Sequence, residues 1–291
     1  MRPLTLLVVL IATVAQADQF KALFDASPEL TLPLDLPGTS MPQPAKVPAD
    51  QVAALRAALV HWGDNFRASL GSTHLAEESN LAAHPPIRTH FDVLGRVNFS
   101  GHAGLICEFV RVEGEGGPDD KVEVFTILVT LSPQTGTLID CSQLSNSNQY
   151  GDQSGRLEAS GRITIGRSVQ PQQEGRPKVV GPGRTEQVRA SGIIDYCEDT
   201  RDKPRVSGPF VDRKSKESMT FTFECRGRTS IAYRAGPGKP AQWMVVTKDY
   251  GKKFDAQFMN STANYSISWE EGDDSATCIN PDKTEQEFKL K

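Results

Sequence analysis

Five histidines and five cysteines are the residues with most chemical scope in this 291-residue chain. His61, His74, His84, His90 and His102 all stand in its first half. Histidine supplies metal ligands and general bases near neutral pH. A zinc centre needs three or four such ligands converging at about 2 Å. His84 and His90 flank Pro85-Pro86, with His74 upstream and Asp92 downstream, and are the two metal-ligand candidates. Neither H-E-x-x-H nor H-x-H occurs. The spacing therefore reads equally as scattered loop histidines, and no metal or cofactor is assigned.

Other catalytic patterns are weaker. A serine nucleophile on a G-x-S-x-G turn has no counterpart, because Gly151-Asp152-Gln153-Ser154-Gly155 carries its serine one place late. Cys107 stands near His102, but a cysteine inside an apolar run is more often buried or bridged than nucleophilic. Acidic residues crowd two turns: Glu113, Glu115, Asp119 and Asp120, then Glu270, Glu271, Asp273 and Asp274. Calcium takes such oxygen ligands, yet neither turn has the EF-hand spacing. A glycosidase carboxylate pair would have to face across two domains. No G-x-x-x-x-G-K-[ST] phosphate loop occurs. No catalytic residue is assigned.

The cysteines are read through the chain's address. Met1 to Ala17 has the form of an export signal: Arg2, an apolar run from Leu4 to Val14, and Ala15-Gln16-Ala17 at the cleavage position. The run is shorter than the roughly 20 residues a membrane span needs, so no span is expected after cleavage. An exported protein is periplasmic or extracellular, where thiols oxidise. Cys107 with Cys141, and Cys225 with Cys278, are the expected disulfides, which leaves Cys197 odd. Beyond Ala17, 31 basic against 36 acidic residues leave a net charge of −5. That balance argues against nucleic acid as the partner.

The elements that must position these residues follow from periodicity. The expected fold class is α+β: an N-terminal helix packed on an antiparallel four-strand meander, followed by a second, mostly antiparallel β domain, a sandwich or open barrel. Residues 18–48 carry six prolines and read as an extended arm. Domain 49–144 opens with a helix over 51–70, its stripe Val52, Leu55, Leu59, Trp62, Phe66 and Leu70 spaced by three and four. Asp50 is the expected N-cap and Gly71 the expected stop. A shorter helix is expected over 73–83, and strands over 93–99, 104–113, 121–131 and 137–143. Residues 145–192 are rich in Gly, Arg and Gln and read as a linker or long loop. Domain 193–291 reads as all-β, with strands over 193–197, 219–225, 229–234, 242–247, 265–270 and 275–279.

Aromatic residues are dense in that last domain. Trp243, Tyr250 and Trp269 are the candidates for a binding face, since aromatics anchor partners well; the competing reading is a β core. The expected function is an exported, non-enzymatic binding protein that recognises another protein or an envelope component, an inhibitor or immunity-type protein being one form of it. The alternative is a secreted hydrolase, metal-dependent through the N-terminal histidines.

Overall fold

The computed structural model describes residues 20–36, 44–66, 73–99, 101–148, 151–166, 168–170, 178–181, 183–195, 204–225, 228–270 and 272–291. Residues 1–17, Gly71, Cys197 and the side chains of His61, Trp62, Phe66 and His74 lie outside this description. The molecule is mostly β. Among the described residues the one long helix is α1 (Ala49–Phe66). The first six strands are β1 (Leu34–Leu36), β2 (Ile87–Phe99), β3 (His102–Glu113), β4 (Lys121–Leu131), β5 (Leu138–Asn148) and β6 (Gly151–Gln153). Six short ones follow: β7 (Gly155–Leu157), β8 (Arg162–Ile165), β9 (Ser168–Gln170), β10 (Lys178–Gly181), β11 (Arg184–Val188) and β12 (Ile194–Asp195). The last eight are β13 (Arg205–Val211), β14 (Ser218–Phe223), β15 (Thr229–Arg234), β16 (Gln242–Asp249), β17 (Lys253–Phe258), β18 (Asn264–Ser268), β19 (Ser275–Ile279) and β20 (Glu285–Leu290).

The N-terminal part stacks two sheets and a helix. A seven-stranded antiparallel sheet runs in the order β10-β9-β6-β5-β4-β3-β2. One of its faces carries Phe91, Val93, Leu105, Cys107, Phe109, Ile127 and Val129, and α1 covers them with Leu55 and Leu59. Phe20, Leu23 and Phe24, on a helical stretch over 20–26, complete this layer. The other face carries Leu94, Val97, Ile106 and Leu128 against Leu157, Ile163, Ile165 and Val188 of a five-stranded sheet, β1-β7-β8-β11-β12. Because β4 has a packed layer on both sides, both its alternating sets of residues are buried from Phe125 to Leu131, Thr126 and Thr130 included.

Several expectations are corrected here. The arm at 18–48 is extended only in part: Leu34–Leu36 pairs with β7 as β1, whereas Phe20 and Leu23, on the helical stretch over 20–26, enter the core. Residues 145–192 carry the short strands β6 to β11, because Leu157, Ile163, Ile165 and Val188 supply one buried face. Asp50 sits inside the first turn of α1 rather than capping it; the helix starts where Gln51 N–H reaches the Pro48 carbonyl. The second helix shrinks to a 3₁₀ turn, Thr73–Ala76. Asn80 then pairs with Ile87, and Ser79 Oγ accepts from Thr89 N–H at 2.8 Å, so the chain joins the sheet edge.

The C-terminal part is a closed barrel, β13 to β20 in sequence order, rather than a sandwich or an open barrel. Closure comes from β20 returning to β13, with Phe210 opposite Leu290 and Val211 opposite Lys289. It begins at β13, not at 193, because Ile193 and Ile194 are buried in the N-terminal part. Strand β13 holds Gly208-Pro209 at a register shift between Ser207 and Phe210, a place where a ladder tolerates proline.

A polar seam joins the two parts. Arg228 Nη1 lies 3.2 Å from Asp140 Oδ1, with both residues buried. Ser230 Oγ donates to Ser191 Oγ at 3.2 Å, and Arg189 Nε lies 3.8 Å from Glu224 Oε2. Ser132 Oγ donates to the Met259 carbonyl, and Ile139 and Ile193 pack on Val245 and Met259.

Candidate functional site

The barrel is filled unevenly along its axis. Side chains alternate in and out along each strand, and the inward residues at one end are large aromatics. Phe221 stacks on Trp269 with centroids 4.4 Å apart, and Phe210 meets both rings edge-on at 5.6 and 5.8 Å. Phe254 and Phe223 lie against the same pair. This plug closes one end.

The opposite end is open. Even-numbered strands begin there and odd-numbered strands finish there, so the first or last inward residue of each reaches the same mouth. They enclose a cavity of about 430 Å³. Met219, Met244, Phe258 and Phe288 make its apolar wall, and Tyr233, Tyr265, Glu217, Cys278, Gln286 and Asp282 its polar side. An eight-stranded barrel is wide enough either to pack solid or to hold one small ligand; this one does the first below and leaves room for the second above.

The polar side is organised. Gln286 Nε2 donates to Glu217 Oε2 at 2.9 Å, and Asn280 Nδ2 donates to Gln286 Oε1 at 3.3 Å and to Thr284 Oγ1 at 2.9 Å. Tyr233, Phe258 and Tyr265 form an edge-to-face run with centroid separations of 5.1 Å at both contacts. Burial, reinforced by the Glu217 carboxylate, holds the Tyr233 hydroxyl well above its ordinary pKa. Tyr265 is raised by burial and then by Cys278, Asp282 and Glu217. The Cys278 thiol is pushed up to about 11 by burial and then by Glu217. At the rim, Asp282 is lowered because Thr284 donates to it through both N–H and Oγ1, at 2.9 and 2.6 Å. The enclosed groups thus stay protonated at neutral pH beneath carboxylates that carry negative charge. No family model, no curated protein and no solved structure matches this chain. The cavity is read on its own chemistry.

The residues singled out in the sequence fall in different places. Trp269 is 3% exposed and belongs to the plug, so it lies on no binding face; its indole is consumed by the Phe221 stack. Trp243 is half-buried on β16, and Tyr250 is 60% exposed in the turn after it, away from the cavity lining. His84 is exposed in a bend, and His90 is exposed on β2 with Nε2 2.7 Å from Asp92 Oδ2. Asp92 stands opposite Glu108 on β3, and burial and then Asp92 raise the Glu108 carboxyl. Among the described residues no group of three or more His, Cys, Asp or Glu side chains could hold a metal ion. His102 and Cys107 occupy even and odd positions of an uninterrupted β3, so their side chains point to opposite faces of the sheet.

Both expected disulfides are corrected. Cys107 and Cys278, one from each expected pair, are buried thiols outside any disulfide. Cys107 is opposite Ile127 on β4 and Cys141 opposite Val129, so the whole of β4 lies between them. Two strand spacings are about 9.5 Å, beyond the reach of a disulfide. Cys225 is disulfide-bonded and Cys278 is not, because Cys278 faces the cavity on β19 while Cys225 follows β14 at the plugged end.

The signal for the cavity was present in the sequence. Glu217, Met219, Phe221 and Phe223 form one inward period-two series, as do Tyr265, Ile267 and Trp269, and Gln286 with Phe288. In each series the residue at the mouth is polar or carries a hydroxyl, and the deep residue is apolar.

Proposed function

We propose that this chain is an exported, non-enzymatic binding protein that recognises another protein or an envelope component, and that the open end of the barrel is its binding element. The observation that carries this reading is the cavity itself: about 430 Å³, apolar wall, linked polar rim. Binding sites are concave and mostly apolar, with a few polar groups that fix orientation. Export rests on the leader Met1 to Ala17 and accords with the bonded state of Cys225. The rim turns 212–217 and 280–284 are closed by short-range hydrogen bonds from Lys216 N–H to the Asp212 carbonyl and from Lys283 N–H to that of Asn280. A preformed mouth of this kind binds without an ordering cost.

Affinity capture from a native envelope fraction tests the reading. The chain from Asp18 onward is the bait, and Met244→Trp, which fills the cavity, is the control. A stoichiometric partner held by the wild type and lost with Met244→Trp is the expected result. A partner held equally by both would place recognition elsewhere, and turnover of an envelope polymer by the bait would make the chain an enzyme.

A further inference from the structure

The cavity lining is one-sided in charge. Glu217 and Asp282 are its ionisable carboxylates, and it contains no Lys, Arg or His. Of these two, Glu217 is half-buried and is met by the Gln286 amide, a neutral donor that leaves its charge uncompensated. Tyr233, Phe258 and Tyr265 put three rings along the same wall, and Met219 and Met244 add two polarisable thioethers. A carboxylate above aromatic rings attracts a cation twice, through its charge and through the ring quadrupoles. An anion entering the same space would meet two negative charges with no basic side chain to pair with. The raised positions of Tyr233, Tyr265 and Cys278, each attributed in part to Glu217, report the same negative potential inside the cavity.

We infer that the barrel cavity selects a compact organic cation, an ammonium group carried on an apolar stem. This rests on the reading of the barrel as the binding element and names its ligand chemistry. The cation has two natural sources, a free amine or the lysine side chain of a partner protein, and both present the same group. The carboxylates hold the ammonium head at the rim; the stem lies along Met219, Met244 and Phe258 below.

Cys278 is a built-in reporter, since it is a free thiol in the cavity wall, while Cys107 and Cys141 are sealed in the first core. The test measures the rate at which Cys278 is modified by three methanethiosulfonates: trimethylammonioethyl, its neutral isostere 3,3-dimethylbutyl, and sulfonatoethyl. In each case the Cys278 thiolate attacks the divalent sulfur that bears the organic group, forms a mixed disulfide and releases methanesulfinate. Rates are read by peptide mass spectrometry and divided by those of a free model thiol. The expected order is cation, neutral, anion, with the corrected cation-to-anion ratio at least about tenfold. Glu217→Gln keeps the fold and should lower that ratio several-fold. In a second arm, benzyltrimethylammonium ion and the blocked amino acid N-acetyl-lysine methylamide are tried as protectors against the neutral reagent. Protection by the first alone marks a free cation, and protection by the second marks a presented side chain. Equal corrected rates for all three reagents, with no protection, would overturn the cation preference yet leave the cavity open as a binding site. Failure of every reagent to reach Cys278 would overturn both.

Discussion

Asp140→Asn removes the negative charge from the seam between the barrel and the seven-stranded sheet. Asp140 and Arg228 are both buried, and their closest approach is 3.2 Å. The same carboxylate accepts from the backbone N–H of Cys141 at 2.7 Å and of Ile194 at 2.8 Å. An amide of equal size removes a negative charge that faces the Arg228 cation and turns an NH₂ toward one of these donors. Breaking a buried ion pair from one side costs about 3–5 kcal/mol. At about 2–4 °C per kcal/mol for a unit of this size, the melting temperature should fall by about 6–20 °C. Far-ultraviolet circular dichroism, followed on heating and in urea, reads the change. The pair Asp140→Leu with Arg228→Met removes both charges together and should recover much of the loss, as coupled neighbours do. A fall of no more than about 2 °C in Asp140→Asn would refute the reasoning, since it would mean that the seam is solvated and the pair screened.

Three further outcomes follow from the packing. Trp269→Ala empties the centre of the aromatic plug and should destabilise the barrel by about 3–5 kcal/mol, read by urea unfolding; a loss below about 1 kcal/mol would place the indole outside the core. Glu224 is raised in the folded protein by burial and by its neighbour Asp195, so its proton is bound more tightly folded than unfolded. That contribution to stability is complete below the ordinary value of 4.5 and is lost as pH rises through the raised one. Wild type minus Glu224→Gln in melting temperature should therefore decline as pH rises from 4.5, and a flat difference would contradict the burial of the carboxyl. Gly95→Val should detach the N-terminal arm, because a Cβ at position 95 would lie 2.7 Å from both Leu30 Cγ and the Pro28 carbonyl. Limited proteolysis between 27 and 36 should accelerate, and unchanged cleavage would show that the arm is not held there.

Much of the architecture is legible in the residues, and the gaps have physical causes. Long strands announce themselves because an alternating face must be buried over many residues, as in Lys121–Leu131. Of the short strands between 151 and 188, the one over 162–165 is legible because Ile163 and Ile165 alternate with polar residues; a three-residue strand such as 155–157 is not, because it contributes one buried side chain, Leu157, which no window can separate from a loop. Strand β17 was missed because Lys253, Asp255 and Gln257 dominate its composition while Phe254, Ala256 and Phe258 carry its inward face. Proline at 209 conceals β13, where a register shift absorbs it. The disulfide pairing failed because strand order, not strand membership, decides which sulfurs meet. Aromatic density marks the barrel, but Trp269 fills its plug and Trp243 and Tyr250 lie off the cavity lining. What marks a barrel cavity is the mouthward polar residue of each inward series, such as Glu217 before Met219, and that becomes readable once the strands are known to close.

The central claim is that the open end of the barrel admits a ligand, and methionine methyl resonances test it most directly. Beyond residue 17 the chain has four methionines: Met41, Met219, Met244 and Met259. Met219 and Met244 line the cavity, whereas Met259 packs on Ile139, Ile193 and Val245 outside it. Protein labelled with ¹³C at the methionine methyls is titrated with benzyltrimethylammonium ion and with neutral benzyl alcohol. The account predicts saturable shifts of Met219 and Met244 together, larger for the cation, with Met259 unmoved. Resonances of Met219 and Met244 that stay fixed under both probes, up to millimolar concentration, would contradict it.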